Sequence, residues 1–339
     1  MKAGAAAPGV PGVAGVPGVA GVSTVGRVST VPGVSTVPGA TGVSGRVRVG
    51  AAPAAWRDYL TLTKPRIMSL LVLTAVCAMI AAARGTPSLT ALLAVVIGGG
   101  LACGGASALN HVIDRDIDRL MGPRTAARPV AAGRISPQRA VAFAAVLLAS
   151  SFVVMTAFDN LLAAALALSG GAYYVVVYTL WLKRSTPQNI VIGGAAGAIP
   201  TLSGWAAANG HLGLGAIFLF SIVLLWTPPH FWALALLLER QYAAARIPMM
   251  PVVRGAQATA RQVLAYSFVL VALTLVPGLI GTFGLAYLVA ALALGIVFIA
   301  LAWRLWRDRT PARAAVLFHF SLLYLALLFV AVALDAALR

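Results

Sequence analysis

Acidic residues are scarce in this sequence. Only eight Asp and Glu occur among 339 residues, against 25 Lys and Arg, and charged residues make up 10% of the chain. Hydrophobic residues account for 60%, and the mean hydropathy is +0.93. An ordinary soluble domain is excluded, because such domains carry about 25% charged residues. The composition instead predicts a protein that lies within a membrane.

Cysteine is scarce as well. Cys77 and Cys103 are the two cysteines of the chain, and both fall in apolar segments. Two cysteines without the spacing of metal ligands exclude a disulfide-rich scaffold and a cysteine metal centre. We interpret them as small apolar packing residues.

Long apolar runs are what the sequence has in abundance. A helix needs about 20 apolar residues to cross a bilayer, and nine runs are long enough. Backbone polar groups inside lipid must be satisfied within the protein, so the predicted fold is an all-α bundle of about nine transmembrane helices. The predicted spans one to nine are roughly 67–83, 89–109, 140–158, 161–181, 190–208, 214–238, 263–282, 284–303 and 314–336.

The basic residues are distributed very unevenly over the predicted loops. Twenty-three lie before span one or in the loops after spans two, four, six and eight, and only Arg84 and Arg339 lie on the other side. By the positive-inside rule, the N-terminus and these loops are cytoplasmic, the C-terminus is outside, and the protein is multi-pass in the cell membrane. The net charge of +17 therefore reports orientation and attraction to anionic headgroups, and we expect no nucleic-acid partner.

Residues 1–50 differ from the rest of the chain. Val-Pro-Gly-Val and Val-Ser-Thr-Val units recur there, without an acidic or aromatic residue. Such a composition cannot form a core, and it predicts a low-complexity, disordered cytoplasmic tail. The tail lacks a charged segment followed by an apolar one, so we do not interpret it as a signal peptide. Residues 51–339 form the predicted transmembrane domain.

The acidic residues are concentrated at the end of span two. The run Asn110-His-Val-Ile-Asp114-Arg-Asp116-Ile-Asp118 contains three of the eight. Asn110, Asp114 and Asp118 are spaced four residues apart. Around the axis of a helix, their side chains differ in direction by only about 80° from the first to the last, so the three share a face. Two carboxylates one turn apart repel each other unless a cation lies between them, which suits Mg²⁺ holding a diphosphate. The alternative is a group of surface salt bridges between Asp116 and its arginine neighbours.

Basic residues flank this cluster on the same side of the membrane. A guanidinium group can donate two hydrogen bonds to two oxygens of one phosphate, and it stays positively charged at any physiological pH. Each cation alone is explained by the positive-inside rule, but a metal–diphosphate needs both signs in one place. The candidate diphosphate-binding residues are Lys64, Arg66, Arg124, Arg128, Lys183 and Arg184.

Span six contains the run Trp226-Thr-Pro228-Pro229-His230-Phe-Trp232. Two prolines remove backbone donors and predict a break in the helix, which at membrane depth suggests a cavity. His230 inside the break has three open roles: binding a metal, moving a proton, or satisfying a freed carbonyl. Tryptophans near span ends, among them Trp226, are interpreted as interfacial anchors.

Five motifs in order resemble the UbiA superfamily of intramembrane prenyltransferases, over about residues 56–338. They are Leu62-Thr-Lys64-Pro65-Arg66, Asn110-x₃-Asp114-Arg-Asp116-Ile-Asp118, Arg124-Thr-x₂-Arg128-Pro129, Lys183-Arg184-x-Thr186-Pro187-Gln188-Asn189-Ile190, and Trp226-Thr-Pro-Pro-His230-Phe-Trp232.

More specifically, the motifs resemble the haem-modifying branch of that superfamily. The resemblance implies transfer of farnesyl from farnesyl diphosphate to a vinyl group of haem b. It also implies Mg²⁺ on Asp114, Asp118 and Asn110, with the six basic residues neutralising the leaving diphosphate. His230 and span six are our candidates for the haem side, and a haem A synthase is a candidate partner.

Two other functions remain open from the sequence. One is a UbiA-type enzyme acting on an aromatic quinone precursor, although such relatives carry a second Asp-x₃-Asp after span six. Here that loop reads Glu239-Arg240-Gln241-Tyr242, which predicts no second metal site. The other is a non-enzymatic haem carrier in the membrane. A transporter would more often carry charged residues near mid-bilayer, whereas almost all charge here lies in one set of loops.

Overall fold

The structure is a computed structural model that describes residues 55–339. The predicted tail, residues 1–50, lies outside the described residues. Within residues 55–339 the secondary structure is helical, without a β-strand.

The prediction of nine transmembrane helices is confirmed. Nine helices in the described part of the chain are long and apolar enough to cross a membrane, so the protein is a multi-pass membrane protein. Spans one to nine comprise Pro65–Ala83, Leu89–Ile113, Pro137–Phe158, Leu161–Ser185, Asn189–Asn209, Leu214–Leu237, Met250–Leu279, Leu285–Asp308 and Pro311–Leu338. The short helices Trp56–Thr63, Arg115–Leu120, Pro123–Ala126 and Glu239–Ala244 lie outside them.

Several spans are capped at their N-terminal end by a polar side chain. Ser88, Ser136, Asn160 and Thr310 each accept a hydrogen bond from a backbone N–H in the first turn of the following helix. These amides have no partner within the helix, so a capping oxygen stabilises the start by about 1 kcal/mol.

Span seven begins much earlier than predicted. Its helix starts at Met250, whereas the apolar run starts near residue 263. The first turns carry Arg254, Gln257 and Arg261, which a hydropathy pattern excludes from a span although they are helical. Gly255, with φ of 75°, interrupts the helix and changes its direction there. Because positive φ favours glycine, the residue is suited to this kink.

Consecutive spans pack against each other, and span nine returns to contact spans one and six. Span five also packs against span one. At Gly204 an added β-carbon would lie 2.0 Å from the Ala75 carbonyl oxygen, so only glycine permits this approach. The loops after spans two, four, six and eight share one end of the bundle, called the basic end below.

Asp335 connects the last span to the start of span eight. Its carboxylate is buried and accepts hydrogen bonds from the backbone N–H groups of Gly284 at 2.6 Å and Tyr287 at 3.4 Å. These are unpaired amides of the first helical turn, where a negative charge also interacts favourably with the helix dipole. A residue distant in sequence therefore caps span eight.

Candidate active site

The Asp cluster lies where span two ends. The helix stops at Ile113, and Asp114 joins it to the helix Arg115–Leu120. The Asp114 N–H donates to the Asn110 carbonyl at 2.9 Å, and the Asp118 N–H donates to the Asp114 carbonyl at 2.8 Å. One helical turn thus separates each pair. Asn110, Asp114 and Asp118 are all buried, with at most 3% exposure.

Three of the predicted cations contact these side chains. Lys183 Nζ lies 2.5 Å from Asp114 Oδ2, and Arg128 lies 2.6 Å from Asp118 Oδ1. Lys64 Nζ donates to Asn110 Oδ1 at 2.8 Å, and Asn110 Nδ2 donates to Asp114 Oδ2 at 2.7 Å. Cations from three separate segments of the chain therefore converge on the cluster of Asn110, Asp114 and Asp118.

One oxygen of each buried carboxylate has no hydrogen-bond partner among the described residues. These atoms are Asp114 Oδ1 and Asp118 Oδ2. Buried carboxylate oxygens are costly unless they are paired or bind a metal. A hard divalent cation with oxygen ligands, such as Mg²⁺, fits this donor set. No group of three or more His, Cys, Asp or Glu residues close enough for a metal occurs within residues 55–339, so the two carboxylates would need amide, water or substrate ligands beside them.

The electrostatics reflect the crowding of buried charge. Burial raises the pKa of Asp118, and the hydrogen bond from Arg128 opposes this change. Burial and the nearby charges of Arg128 and Lys183 lower the pKa of Lys64 to about 7. A site that already destabilises a cation at Lys64 gains from the arrival of an anionic ligand.

A π-helix shapes the facing wall of the site. Residues Tyr173–Leu182 of span four are wound with wider turns. The side-chain hydroxyl of Thr179 donates to the Tyr174 carbonyl at 2.8 Å. Asn110 Nδ2 donates to Thr179 Oγ1 at 3.2 Å. The wider turns place Thr179 against Asn110 and Lys183 against Asp114. Such local π-turns frequently mark functional sites.

Thr179 was missed by the sequence analysis. A threonine in an apolar run carries no signal of its own, and a π-turn has no simple sequence pattern. Only its position four residues before Lys183 hints that the two share a face.

The other three predicted cations, Arg184, Arg66 and Arg124, form no hydrogen bond with Asp114 or Asp118. Arg184 forms a paired hydrogen bond with the exposed carboxylate of Asp116, at 2.9 Å for each contact, and this lowers the Asp116 pKa to about 2. Its nearest approach to Asp114 is 3.9 Å. Arg66 and Arg124 are exposed. The alternative of a surface salt bridge thus holds for Asp116, through Arg184, whereas the ion pairs of Asp114 and Asp118 involve buried carboxylates.

A family model described as the UbiA prenyltransferase family matches residues 71–331. The chain belongs to the UbiA prenyltransferase family. Among curated relatives, "Protoheme IX farnesyltransferase" of Gloeobacter violaceus is 54% identical over 286 residues, covering 84% of this chain and 93% of the relative. A relative of the same name from Ectopseudomonas mendocina is 48% identical, covering 85% and 96%. The chain spans about half the length of a third, longer relative from Roseiflexus, at 53%.

Solved structures share the UbiA fold. A digeranylgeranylglyceryl phosphate synthase superposes with a TM-score of 0.69 at 19% identity, covering 84% of this chain and 99% of that one. A UbiA homologue from Archaeoglobus fulgidus, bound to DMAPP and Mg²⁺, superposes with a TM-score of 0.58 at 17% identity, covering 81% and 99%. The predicted fold class and family are confirmed.

In this UbiA-family chain the predicted break of span six is wrong. The helix continues from Leu214 to Leu237 through Pro228 and Pro229. The prolines still lack N–H donors, but close packing by neighbouring helices allows prolines inside a transmembrane helix. Trp226 is also not an interfacial anchor, because it is buried and donates to the Ser321 carbonyl at 2.8 Å.

His230 is a residue of span six, and its side chain packs against span nine. Its ring stacks on Trp226 at 4.3 Å and on Phe318 at 4.8 Å between centroids. Nδ1 lies 2.6 Å from Ser321 Oγ, whose own hydroxyl donates to the Phe318 carbonyl. Which of the two atoms donates in this hydrogen bond is set by the tautomer of the imidazole ring.

Tyr242 is a further residue close to the site. It is buried in the loop after span six, where a second Asp-x₃-Asp was absent. Burial raises its pKa, and the charges of Arg128 and Asp114 are near enough to affect it as well. This loop therefore contributes a phenol, rather than a carboxylate pair, to the surroundings of the Asp cluster.

Proposed function

We propose that this protein transfers the farnesyl group of farnesyl diphosphate to a vinyl group of haem b, giving haem O. Membership of the UbiA family and the name shared by the curated relatives support this function. The observation that carries the prenyl-transfer chemistry is the buried Asp114–Asp118 pair with one unpartnered oxygen on each carboxylate.

Asp114, Asp118 and Asn110 are the proposed Mg²⁺ ligands. The carboxylates supply hard oxygen atoms, and the Asn110 amide lies against both Asp114 and Lys64. The Archaeoglobus homologue with Mg²⁺ and a prenyl diphosphate supports this cofactor. When bound, Mg²⁺ would neutralise charge on the departing diphosphate.

Lys183 and Arg128 neutralise the buried carboxylates in the absence of ligand, and Lys64 donates a hydrogen bond to the Asn110 amide oxygen beside them. With a metal on the carboxylates, the same cations are placed to neutralise the diphosphate as it leaves, which is the main electrostatic contribution to ionising the substrate. Arg66, Arg124 and Arg184 are proposed to attract and orient the diphosphate from the exposed side.

The proposed reaction breaks one carbon–oxygen bond of farnesyl diphosphate and forms one carbon–carbon bond to haem b. The carbon–oxygen bond of farnesyl diphosphate breaks and releases diphosphate, and the farnesyl carbon bonds to the terminal vinyl carbon of haem b. Water adds to the resulting cation and loses a proton, leaving a hydroxyethylfarnesyl group. Water must be kept from the first cation but admitted to the second, which requires an apolar cavity with one polar edge.

Span six is the proposed haem side. In the tautomer proposed for His230, Nδ1 donates to Ser321 Oγ and Nε2 keeps a lone pair. A neutral imidazole with its other nitrogen held by a hydrogen bond is the form that binds haem iron. The stacked Trp226 and Phe318 fix the orientation of the ring.

The proposed setting is the cell membrane, with the N-terminus and the basic end in the cytoplasm and the C-terminus outside. The charge asymmetry of the loops supports this orientation. A haem A synthase that accepts the product is the proposed downstream partner.

The acceptor assignment is tested by product mass. Purified protein receives farnesyl diphosphate, Mg²⁺ and either haem b or hydroxybenzoate, in ordinary water and in water labelled with heavy oxygen. We expect a haem pigment heavier by farnesol, with the label retained in the heavy-oxygen sample. Prenylation of hydroxybenzoate alone would support the quinone-precursor function instead, and haem binding without any product would support a haem carrier.

A further inference from the structure

A basic groove opens between spans seven and eight at the basic end. Two adjoining cavities of about 450 and 260 Å³ share Gln257 and Trp306 in their walls. Arg254 and Arg261 line the larger cavity, and Arg307 and Arg309 line the smaller one. These residues are called the arginine groove.

The arginine groove has a large excess of positive charge. Arg254, Arg261 and Arg307 make no side-chain hydrogen bond or ion pair with any residue from 55 to 339, and residues 1–54 contain no acidic residue. The nearby Asp308 pairs with Arg313 at 3.7 Å. The four guanidinium groups around the cavities therefore form no ion pair with a carboxylate of residues 55–339.

The local backbone positions these side chains together. Gly255 kinks the start of span seven, and Gln257 and Arg261 follow on the same side one turn apart. Arg309, at the end of span eight, donates to the Trp306 carbonyl at 3.2 Å. The wall of the groove is therefore built from the ends of two spans rather than from a long loop.

Apolar surface continues from the groove toward the membrane. Phe268 lies two turns beyond Arg261 on the same face of span seven and is 49% exposed. On span eight, Trp303 is 45% exposed and contacts Trp306 at 4.9 Å, and Ile296 lies two turns further in and is 60% exposed. Paired tryptophans at a span end are typical of the headgroup level of a bilayer.

We propose that the arginine groove binds the headgroup of an anionic phospholipid, with the acyl chains along the faces of Phe268 and Ile296. Each arginine can donate two hydrogen bonds to the oxygens of one phosphate. The Gln257 amide can form a hydrogen bond with a headgroup hydroxyl. Basic pockets between transmembrane helices are suited to such lipids. A soluble phosphate would use the arginines but leave the adjoining apolar faces without a role.

The test uses full-length protein in nanodiscs of phosphatidylcholine with a minor fraction of phosphatidylglycerol, followed by native mass spectrometry of retained lipid. Arg254→Gln/Arg261→Gln should lose about tenfold in retention of phosphatidylglycerol relative to phosphatidylcholine. Arg307→Gln alone should lose less. The control Arg57→Gln/Arg139→Gln removes two exposed arginines before or at the start of a span, outside the groove, and should change retention less than about twofold.

Three outcomes decide the proposal. Selective loss in the groove variants supports it. Equal loss in the groove and control variants overturns it, because the lipid would then respond only to general surface charge. Displacement of the lipid by millimolar inorganic phosphate also overturns it, since the groove would then be a soluble phosphate site. None of these results depends on the acceptor of the prenyl group.

Discussion

At the scale of single residues, substitution of the buried Asp114 or Asp118 should lower turnover far more than substitution of their exposed neighbour Asp116. Asp114→Asn or Asp118→Asn removes charge from the proposed metal site, and turnover should fall by several orders of magnitude. Asp116→Asn is the matched control, because its exposed carboxylate contacts only Arg184 and the loop, and its effect should be mild. Steady-state turnover of folded, detergent-purified variants measures this. Small and equal effects at all three positions would contradict the metal assignment.

His230 is predicted to act on haem and not on the diphosphate. Titration of haem b, followed by the Soret band, should show about tenfold weaker binding for His230→Ala, as expected for loss of an interaction of about 1.4 kcal/mol. Affinity for farnesyl diphosphate should stay unchanged. His319→Ala, an exposed histidine of span nine that contacts its own helix, is the control. Identical haem titrations and rates for wild type and His230→Ala would reduce His230 to a packing residue.

Thr179 is predicted to position Asn110. Its hydroxyl joins the amide of Asn110 to the backbone of the π-helix, so Thr179→Val should lower turnover by roughly fivefold to tenfold, the effect of losing a hydrogen bond of about 1 kcal/mol. Thr179→Ser keeps the hydroxyl and should restore most of the rate. If valine and serine behave alike, the hydroxyl does not position the site.

At the scale of helices, the cap on span eight should stabilise the fold without affecting chemistry. Asp335→Ala leaves the Gly284 and Tyr287 amides unpaired and should cost about 1–2 kcal/mol, seen as a lower apparent melting temperature in detergent. Gly284→Ala should also destabilise, because its β-carbon would lie 2.5 Å from Asp335 Oδ1. Asp308→Ala, which removes an exposed carboxylate at the other end of span eight, is the control. An unchanged melting temperature for Asp335→Ala would contradict the capping role.

The π-helix and span six show what a helical pattern does and does not predict. The apolar run of span four predicts a helix, but the widened turn that places Thr179 and Lys183 has no simple sequence pattern. In span six, two prolines predicted a break, yet tertiary packing keeps the helix continuous. In span six, local propensity was therefore overruled by contacts between distant segments.

At the scale of the whole molecule, the number and approximate position of the spans were predictable, since the bilayer demands long apolar runs. The start of span seven was not, because its first turns carry arginine and glutamine. The shared face of Asn110, Asp114 and Asp118 followed from helical spacing, but their burial did not, because the sequence also allowed surface salt bridges at this span end. Which cation contacts which side chain of the cluster required the fold, as Lys64, Arg128 and Lys183 come from separate segments.

The most direct test of the account follows diphosphate release and haem product in the same reaction. Wild type with farnesyl diphosphate, Mg²⁺ and haem b should release one diphosphate for each prenylated, hydrated haem formed, and Asp114→Asn should give neither. Chelation of Mg²⁺ should abolish both products in the wild type. Haem product formed at an undiminished rate by Asp114→Asn, or diphosphate released in full while haem b stays unmodified, would contradict the account.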